Sequence, residues 1–154
     1  METFDYFNIS EDIKNALALL GYKKPTNIQK QSIPYILANQ NIIIKSKTGS
    51  GKTAAFSIPL IEKLIWDKKE PQVLVLSPTR ELAMQIAQEA FNIGRFKRIK
   101  VACLYGKSAF DKQEKILKTR NHMIVSTPGR LLDHINRKTI DLNDIECVVI
   151  DEAD

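Results

Sequence analysis

The chain has 154 residues, 44% hydrophobic and 27% charged, with a formal net charge of +5. That length suits about one domain able to bury roughly 68–70% of its unfolded surface, and the composition excludes a disordered chain. The best apolar run, Ile33 to Ile44, is broken by Asn39, Gln40 and Asn41 and falls short of the ~18 residues that span a bilayer, while Cys103 and Cys147 form no CxxC or Cys/His cluster that would suggest zinc or a disulfide scaffold.

From the N-terminus, Met1-Glu2-Thr3-Phe4-Asp5 has no basic region of the kind that opens a secretory signal, so a cytoplasmic protein without membrane contact is expected. Ser10 is placed to N-cap a helix through Leu20, closed by Gly21. Next comes Gly21-Tyr22-Lys23-Lys24-Pro25-Thr26-Asn27-Ile28-Gln29. Thr26-x-x-Gln29 has the form of a capping box opening a helix through Leu37. A glutamine amide can also bond adenine at N6 and N7, and Tyr22 can stack on a base; the cap and the adenine reading can coexist.

Asn41–Lys45 reads as a strand. It leads into Ser46-Lys47-Thr48-Gly49-Ser50-Gly51-Lys52-Thr53 and then a helical stretch. Strand, glycine-rich turn and helix make a P-loop: glycines let backbone N–H groups converge on phosphates, Lys52 reaches the β- and γ-phosphates, and the Thr53 hydroxyl can hold Mg²⁺. Ser46 stands where the strict pattern has glycine. A glycine-rich turn capping an ordinary helix is the plainer alternative.

Val73–Ser77 predicts another strand, followed by a helix from the N-cap Thr79 to Gly94 as its C′ residue. Between Arg95 and Arg120 stand nine Lys or Arg against two acidic residues, Asp111 and Glu114. This stretch suits a phosphate-backbone surface, or equally a solvated helix face on which the two acids pair with lysines one turn away. Val101–Tyr105 and Met123–Ser126 predict strands, and Thr127-Pro128 an N-cap and N1 proline for a helix through Arg137. The last strand, Cys147–Ile150, runs into Asp151-Glu152. That is the form of a Walker B element, in which Asp151 holds Mg²⁺ through water and Glu152 orients or deprotonates the attacking water.

Strand–helix alternation predicts an α/β fold, a parallel sheet with helices on both faces, and ligands beyond the carboxyl ends of its strands. The chemically suggestive residues fall at those ends.

Together these segments resemble the N-terminal half of a DEAD-box RNA helicase along the whole chain. Phe4 lies 17 residues before Gly21, where the family has an isolated aromatic. Gly21 to Gln29 resembles the Q motif, Ser46 to Thr53 motif I, Pro78-Thr79-Arg80-Glu81-Leu82-Ala83 motif Ia, Thr127-Pro128-Gly129-Arg130 motif Ib, and Asp151-Glu152-Ala153-Asp154 motif II. The resemblance implies a RecA-like P-loop NTPase lobe, with a Q-motif region over 1–30 and a partial ATP-binding domain over 31–154, truncated before its last strands. It implies ATP and Mg²⁺ as cofactors. Tyr22, Gln29 and Ser46 through Thr53 would bind nucleotide, Thr53 and Asp151 the metal, and Lys52, Asp151 and Glu152 would be catalytic. Pro78, Thr79, Arg80, Gly106, Thr127, Pro128, Gly129 and Arg130 would hold one RNA strand by its backbone, with little sequence preference.

The activity implied is ATP-dependent clamping and unwinding of RNA. The alternative is a nucleotide-gated RNA clamp or scaffold without significant unwinding. The family's next elements after motif II are a Ser-Ala-Thr strand and a second lobe with an arginine finger. The 154-residue chain alone is therefore expected to bind nucleotide weakly, to hydrolyse little, and to be poorly stable with unpaired sheet edges. One departure stands out: Gly106-Lys107 replaces the family's usual Gly-Gly. Asn92 to Lys100 and Gly106 to Gln113 look like the bacterial DbpA/YxiN subgroup, whose members carry a C-terminal domain aimed at large-subunit ribosomal RNA. That implies ribosome biogenesis.

Overall fold

The computed structural model describes residues 3–152, so Ala153 and Asp154 of the motif II segment lie outside the described residues. The order of elements is a short 3-10 turn (Phe4–Tyr6), α1 (Glu11–Leu19), α2 (Asn27–Leu37), α3 (Lys52–Glu62), β1 (Val73–Leu76), α4 (Arg80–Ile93), a second 3-10 turn (Arg95–Lys97), β2 (Val101–Leu104), α5 (Phe110–Leu117), β3 (Met123–Ser126), α6 (Pro128–Asn136) and β4 (Cys147–Ile150). They form two compact units: residues up to Leu64 with Glu89–Arg98, and Ile65–Gln88 with Ile99 onward.

The first unit is helical. On α1, Ile13, Ala16 and Leu17 are buried at the i, i+3, i+4 spacing of one helix face. α3 is buried continuously from Ala54 to Ile61, as an almost wholly apolar helix must be, and α2 packs against it. Lys97 pairs with Glu62 at 3.5 Å, and the Ser10 N–H donates to the same carboxylate at 3.2 Å.

Three expectations change here. Asn41–Lys45 forms no strand, although its Ile42-Ile43-Ile44 core is strand-like; none of its residues joins a ladder, and Ile43 is 91% exposed. A strand exists only through its hydrogen-bonded neighbour. Ser10 flanks α1 as foreseen, but its hydroxyl makes no capping bond. Gly94 has φ −93°, so it is not a left-handed C′ residue; Arg98, at φ 57°, is the left-handed one.

The second unit holds a four-stranded sheet of order β2-β3-β1-β4, with every pair parallel. The predicted strands in this unit fall within one residue of the observed ones. β1 and β3 are the inner strands and are buried almost continuously; β2 and β4 alternate, as edge strands do. One face carries Leu74, Ala102, Leu104, Ile124 and Leu131, with Leu117, Ile140, Leu142 and Ile145 packed against them. β4 has β1 on one side and leaves Val148 and Ile150 exposed. The register aligns Leu104, Ser126, Leu76 and Ile150, so the four carboxyl ends are level.

Two histidines are locked into this unit. His122 accepts the Lys100 N–H on Nδ1 at 2.9 Å, which leaves its Nε2–H to donate to the Trp66 carbonyl at 3.0 Å. His134 donates from Nε2 to Gln113 Oε1 at 3.0 Å, meets the Thr139 hydroxyl at 2.7 Å, and stacks on Phe110. Both are fully buried, and burial holds both pKa values below the ordinary histidine range, with neighbouring arginines and a lysine adding to it. The sign follows. The unfolded chain takes up protons below about pH 6.5 and the folded chain resists them, so stability falls as pH drops through that value. The unfolding free energy from urea titration is expected to be flat between about pH 7 and 8 and to decline below about 6.5, by at most about 1.4 kcal/mol per proton per pH unit, with the midpoint falling in step. A midpoint unchanged down to about pH 5 would contradict it.

Candidate functional site

In the first unit the site is built around the start of α3. Lys47 and Ser50 close a turn (Ser50 N to Lys47 O, 3.2 Å), and Gly49 within it has φ +82°. Gly51, at φ +87°, is the N-cap of α3, and its carbonyl accepts the first helical bond from Ala55 N at 3.0 Å. Ser46, Lys47, Thr48 and Gly49 are exposed, while Ser50, Gly51, Lys52 and Thr53 are half-buried. The exposed turn ahead of a helix N-terminus is the arrangement in which N–H groups and the helix dipole attract phosphate.

The capping box forms in full. Gln29 N donates to Thr26 Oγ1 at 3.3 Å, and Thr26 N donates to Gln29 Oε1 at 2.9 Å. Gln29 does one thing more: its Nε2 donates to the Gly51 carbonyl at 3.1 Å. The predicted adenine reader is thus tied to the phosphate turn. An amide has two donors and two lone pairs, so each atom keeps one valence for a base edge. Tyr22 donates its hydroxyl to Glu89, and burial first, then that bond, raises its pKa well above the ordinary tyrosine value. The bond fixes the ring's position. Glu89 was not foreseen, since its partner is 67 positions away.

In the second unit the remaining predicted residues collect along the level carboxyl ends of the sheet. Pro78, Thr79 and Arg80 follow β1, Gly106 follows β2, Thr127 to Arg130 follow β3, and Asp151 and Glu152 follow β4. Bonds just past the strands keep these segments in step: Ser77 N to Ser126 O at 3.0 Å, Thr127 N to Leu104 O at 3.0 Å, and Asp151 N to Leu76 O at 2.9 Å. Neighbouring strands are about 4.8 Å apart, so one extended ligand about 15 Å long could touch all four ends. Pro78, Thr79, Arg80, Gly106, Pro128 and Gly129 are exposed there.

The individual roles differ. Thr79 caps α4 by accepting Leu82 N at 3.2 Å, whereas Thr127 flanks α6 with no side-chain cap. The Arg80 guanidinium lies 5.0 Å over the Tyr105 ring. Arg130 is held inward. Its NH1 donates to the Ser108 carbonyl and to Gln113 Oε1, both at 3.2 Å, and its Nε is 3.4 Å from Asp133. Gln113, 3% exposed, was missed by sequence reasoning; the available signal was a polar residue between Phe110 and Leu117 on the apolar side of α5. Glu152 sits at φ 55°, a left-handed backbone rare for its type.

The basic stretch is divided between the two units, and several of its cations have partners. Lys97 pairs with Glu62, Lys118 with Glu114 at 3.7 Å, and Arg120 stacks on Trp66 at 4.4 Å. Arg95, Lys97 and Arg98 belong to the first unit, Lys100 onward to the second. Among the described residues no group of three His, Cys, Asp or Glu closes on a metal-sized space, and no helix is long and apolar enough to cross a membrane.

A family model described as DEAD/DEAH box helicase matches residues 26–154. The chain is 52% identical over its whole length to the ATP-dependent RNA helicase DbpA of Bacillus subtilis, and spans 32% of that protein. Among solved structures it superposes on a DEAD box protein from Methanococcus jannaschii with a TM-score of 0.94 and 42% identity, covering 99% of this chain and 42% of that one. It also superposes on S. cerevisiae Dbp5 bound to RNA and ADP BeF3, with a TM-score of 0.90 and 32% identity, covering 99% of this chain and 39% of that one. The chain therefore spans about a third of the length of the curated relative it matches.

Proposed function

The chain belongs to the DEAD/DEAH box helicase family, and from that membership we propose that the whole protein is an RNA-dependent ATPase that clamps and unwinds RNA. The observation that carries this reading is the alignment of motif Ia, Gly106, motif Ib and Asp151-Glu152 along one level sheet edge. A ligand bound there meets backbone-contacting groups and the candidate catalytic carboxylates in a single row. Similarity to Dbp5, whose structure holds RNA and a nucleotide analogue, supports the same assignment.

Tyr22, Gln29 and Ser46 to Thr53 take ATP, with Lys52 on its phosphates. The Thr53 hydroxyl in the first unit and the Asp151 carboxylate in the second are each hard oxygen donors of the kind that would hold Mg²⁺, which takes few protein ligands beside nucleotide phosphates and water. Glu152 orients the attacking water. Arg80 contacts RNA phosphates, and Arg130 acts by holding the turn beneath Gly106. Such contacts carry no sequence information. The subgroup resemblance supports large-subunit ribosomal RNA as the substrate and ribosome assembly in the cytoplasm as the process. The 154-residue chain alone binds nucleotide weakly and turns over negligibly.

The test is ATP hydrolysis by the full-length protein with and without RNA, and with DNA of matched sequence, beside a strand-displacement assay. Stimulation by RNA alone with displacement is expected. Stimulation without displacement would favour the gated clamp, and equal stimulation by DNA would overturn the RNA assignment. Arg80→Ala should lose most RNA stimulation and leave nucleotide affinity unchanged, because Arg80 is exposed and its neighbour Thr79 keeps the α4 cap. Normal RNA stimulation in this variant would remove Arg80 from the groove.

A further inference from the structure

Asn39, Arg98, Lys107, Lys138 and Glu152 are the non-glycine residues with left-handed φ among those described. Asn39, Arg98 and Lys138 lie just past helical segments, where such a residue commonly ends the helix. Lys107 (φ 61°) and Glu152 (φ 55°) instead follow the carboxyl ends of β2 and β4. Ligands of parallel sheets bind at those ends, and strain in a folded chain concentrates at such sites. Glycine adopts this backbone freely; lysine adopts it against steric resistance and adds a cation.

The turn that carries Lys107 is clamped on both sides. Gln113 Nε2 donates to the Tyr105 carbonyl at 2.9 Å, and Arg130 NH1 donates to the Ser108 carbonyl at 3.2 Å. Gln113 Oε1 receives Arg130 NH1 at 3.2 Å and His134 Nε2 at 3.0 Å. The residues flanking Gly106-Lys107 are therefore anchored to α5 and α6, while Gly106 and Lys107 are exposed. Arg80 covers the Tyr105 ring at the foot of the same turn. Little motion is left to the Lys107 backbone, and its exposed side chain departs from the turn past β2 whose foot Arg80 covers.

Resting on the RNA reading above, we infer that Lys107 is a further phosphate-binding residue, giving this protein a side-chain contact to the RNA backbone where a glycine at the same position offers none. The test measures binding of fluorescein-labelled oligouridine to the full-length protein, with a non-hydrolysable ATP analogue, across a salt series. Lys107→Gly relieves the backbone strain, so it should melt no lower than the wild type. Its log-affinity against log-salt slope should be shallower by about 0.7, the value for one phosphate contact on a single strand, or about fivefold less affinity gained per tenfold dilution of salt. Lys107→Arg should retain the wild-type slope. A Lys107→Gly protein with wild-type slope and affinity would overturn the inference and leave the RNA reading standing. Wild-type protein that binds oligouridine without salt dependence would overturn both.

Discussion

Gly51→Ala is expected to remove nucleotide binding almost entirely. A Cβ built at this position lies 2.5 Å from Gln29 Nε2 and 3.1 Å from Thr26 Oγ1. Neither neighbour can yield cheaply. Gln29 is 3% exposed and donates to the Gly51 carbonyl, and Thr26 is held in the capping box. The backbone adds its own resistance, since φ is +87° and left-handed geometry costs an L-residue with a Cβ about 1–2 kcal/mol. Losing the Gln29 bond would add about 0.5–1.5 kcal/mol. The start of α3 must shift to make room, and a displacement of about 1 Å in a positioned phosphate site is enough for a loss near 10²-fold. Calorimetric titration with ATP and with ADP checks this. Gly49→Ala is the control: its φ is +82°, but no atom lies within 4 Å of its Cβ, so it should carry backbone strain without the clash and melt closer to the wild type. A Gly51→Ala protein that binds ATP normally would separate the capping box from the nucleotide site.

Glu152→Gln should block hydrolysis and keep nucleotide binding. The substitution is isosteric and demands the same left-handed backbone, so folding should be unaffected. On the role proposed for Glu152, it removes only the capacity to accept a proton from, and fully orient, the attacking water. General-base contributions of this kind are worth about 10²–10⁴ in rate. Single-turnover hydrolysis by the full-length protein with RNA, beside a nucleotide titration, separates the two effects. Hydrolysis close to wild type would take the role from Glu152. Affinity falling in parallel with rate would mean that the carboxylate holds the ground state instead.

The contrast between these glycines illustrates where sequence reasoning stops. Both belong to one Gly-Ser-Gly turn, and their need for positive φ is readable locally. Only the fold brings Gln29, 22 positions away, against one and not the other. The same holds for caps. Thr26 and Thr79 bond through their hydroxyls as their spacing suggests, while Ser10 and Thr127, in equally good local settings, do not. At Ser10 the backbone N–H is drawn to Glu62, 52 positions on.

What the sequence determined alone is whatever depends on near neighbours. Continuous aliphatic runs made β1 and β3 legible, because a strand buried on both faces must be apolar at every position, and the flanking β2 and β4 carry similar runs although they are buried only in part. The Thr26-x-x-Gln29 box, proline at the first turn of α6 and the motif order were legible for the same reason. Tertiary structure decided the rest: the order β2-β3-β1-β4, the absence of a strand at Asn41–Lys45 despite its isoleucines, the inward commitment of Arg130, and the clamp that Gln113 builds under Lys107. Each of these depends on which distant group supplies a hydrogen-bond partner, and a side chain or strand is satisfied only by partners that the completed fold brings within about 3 Å.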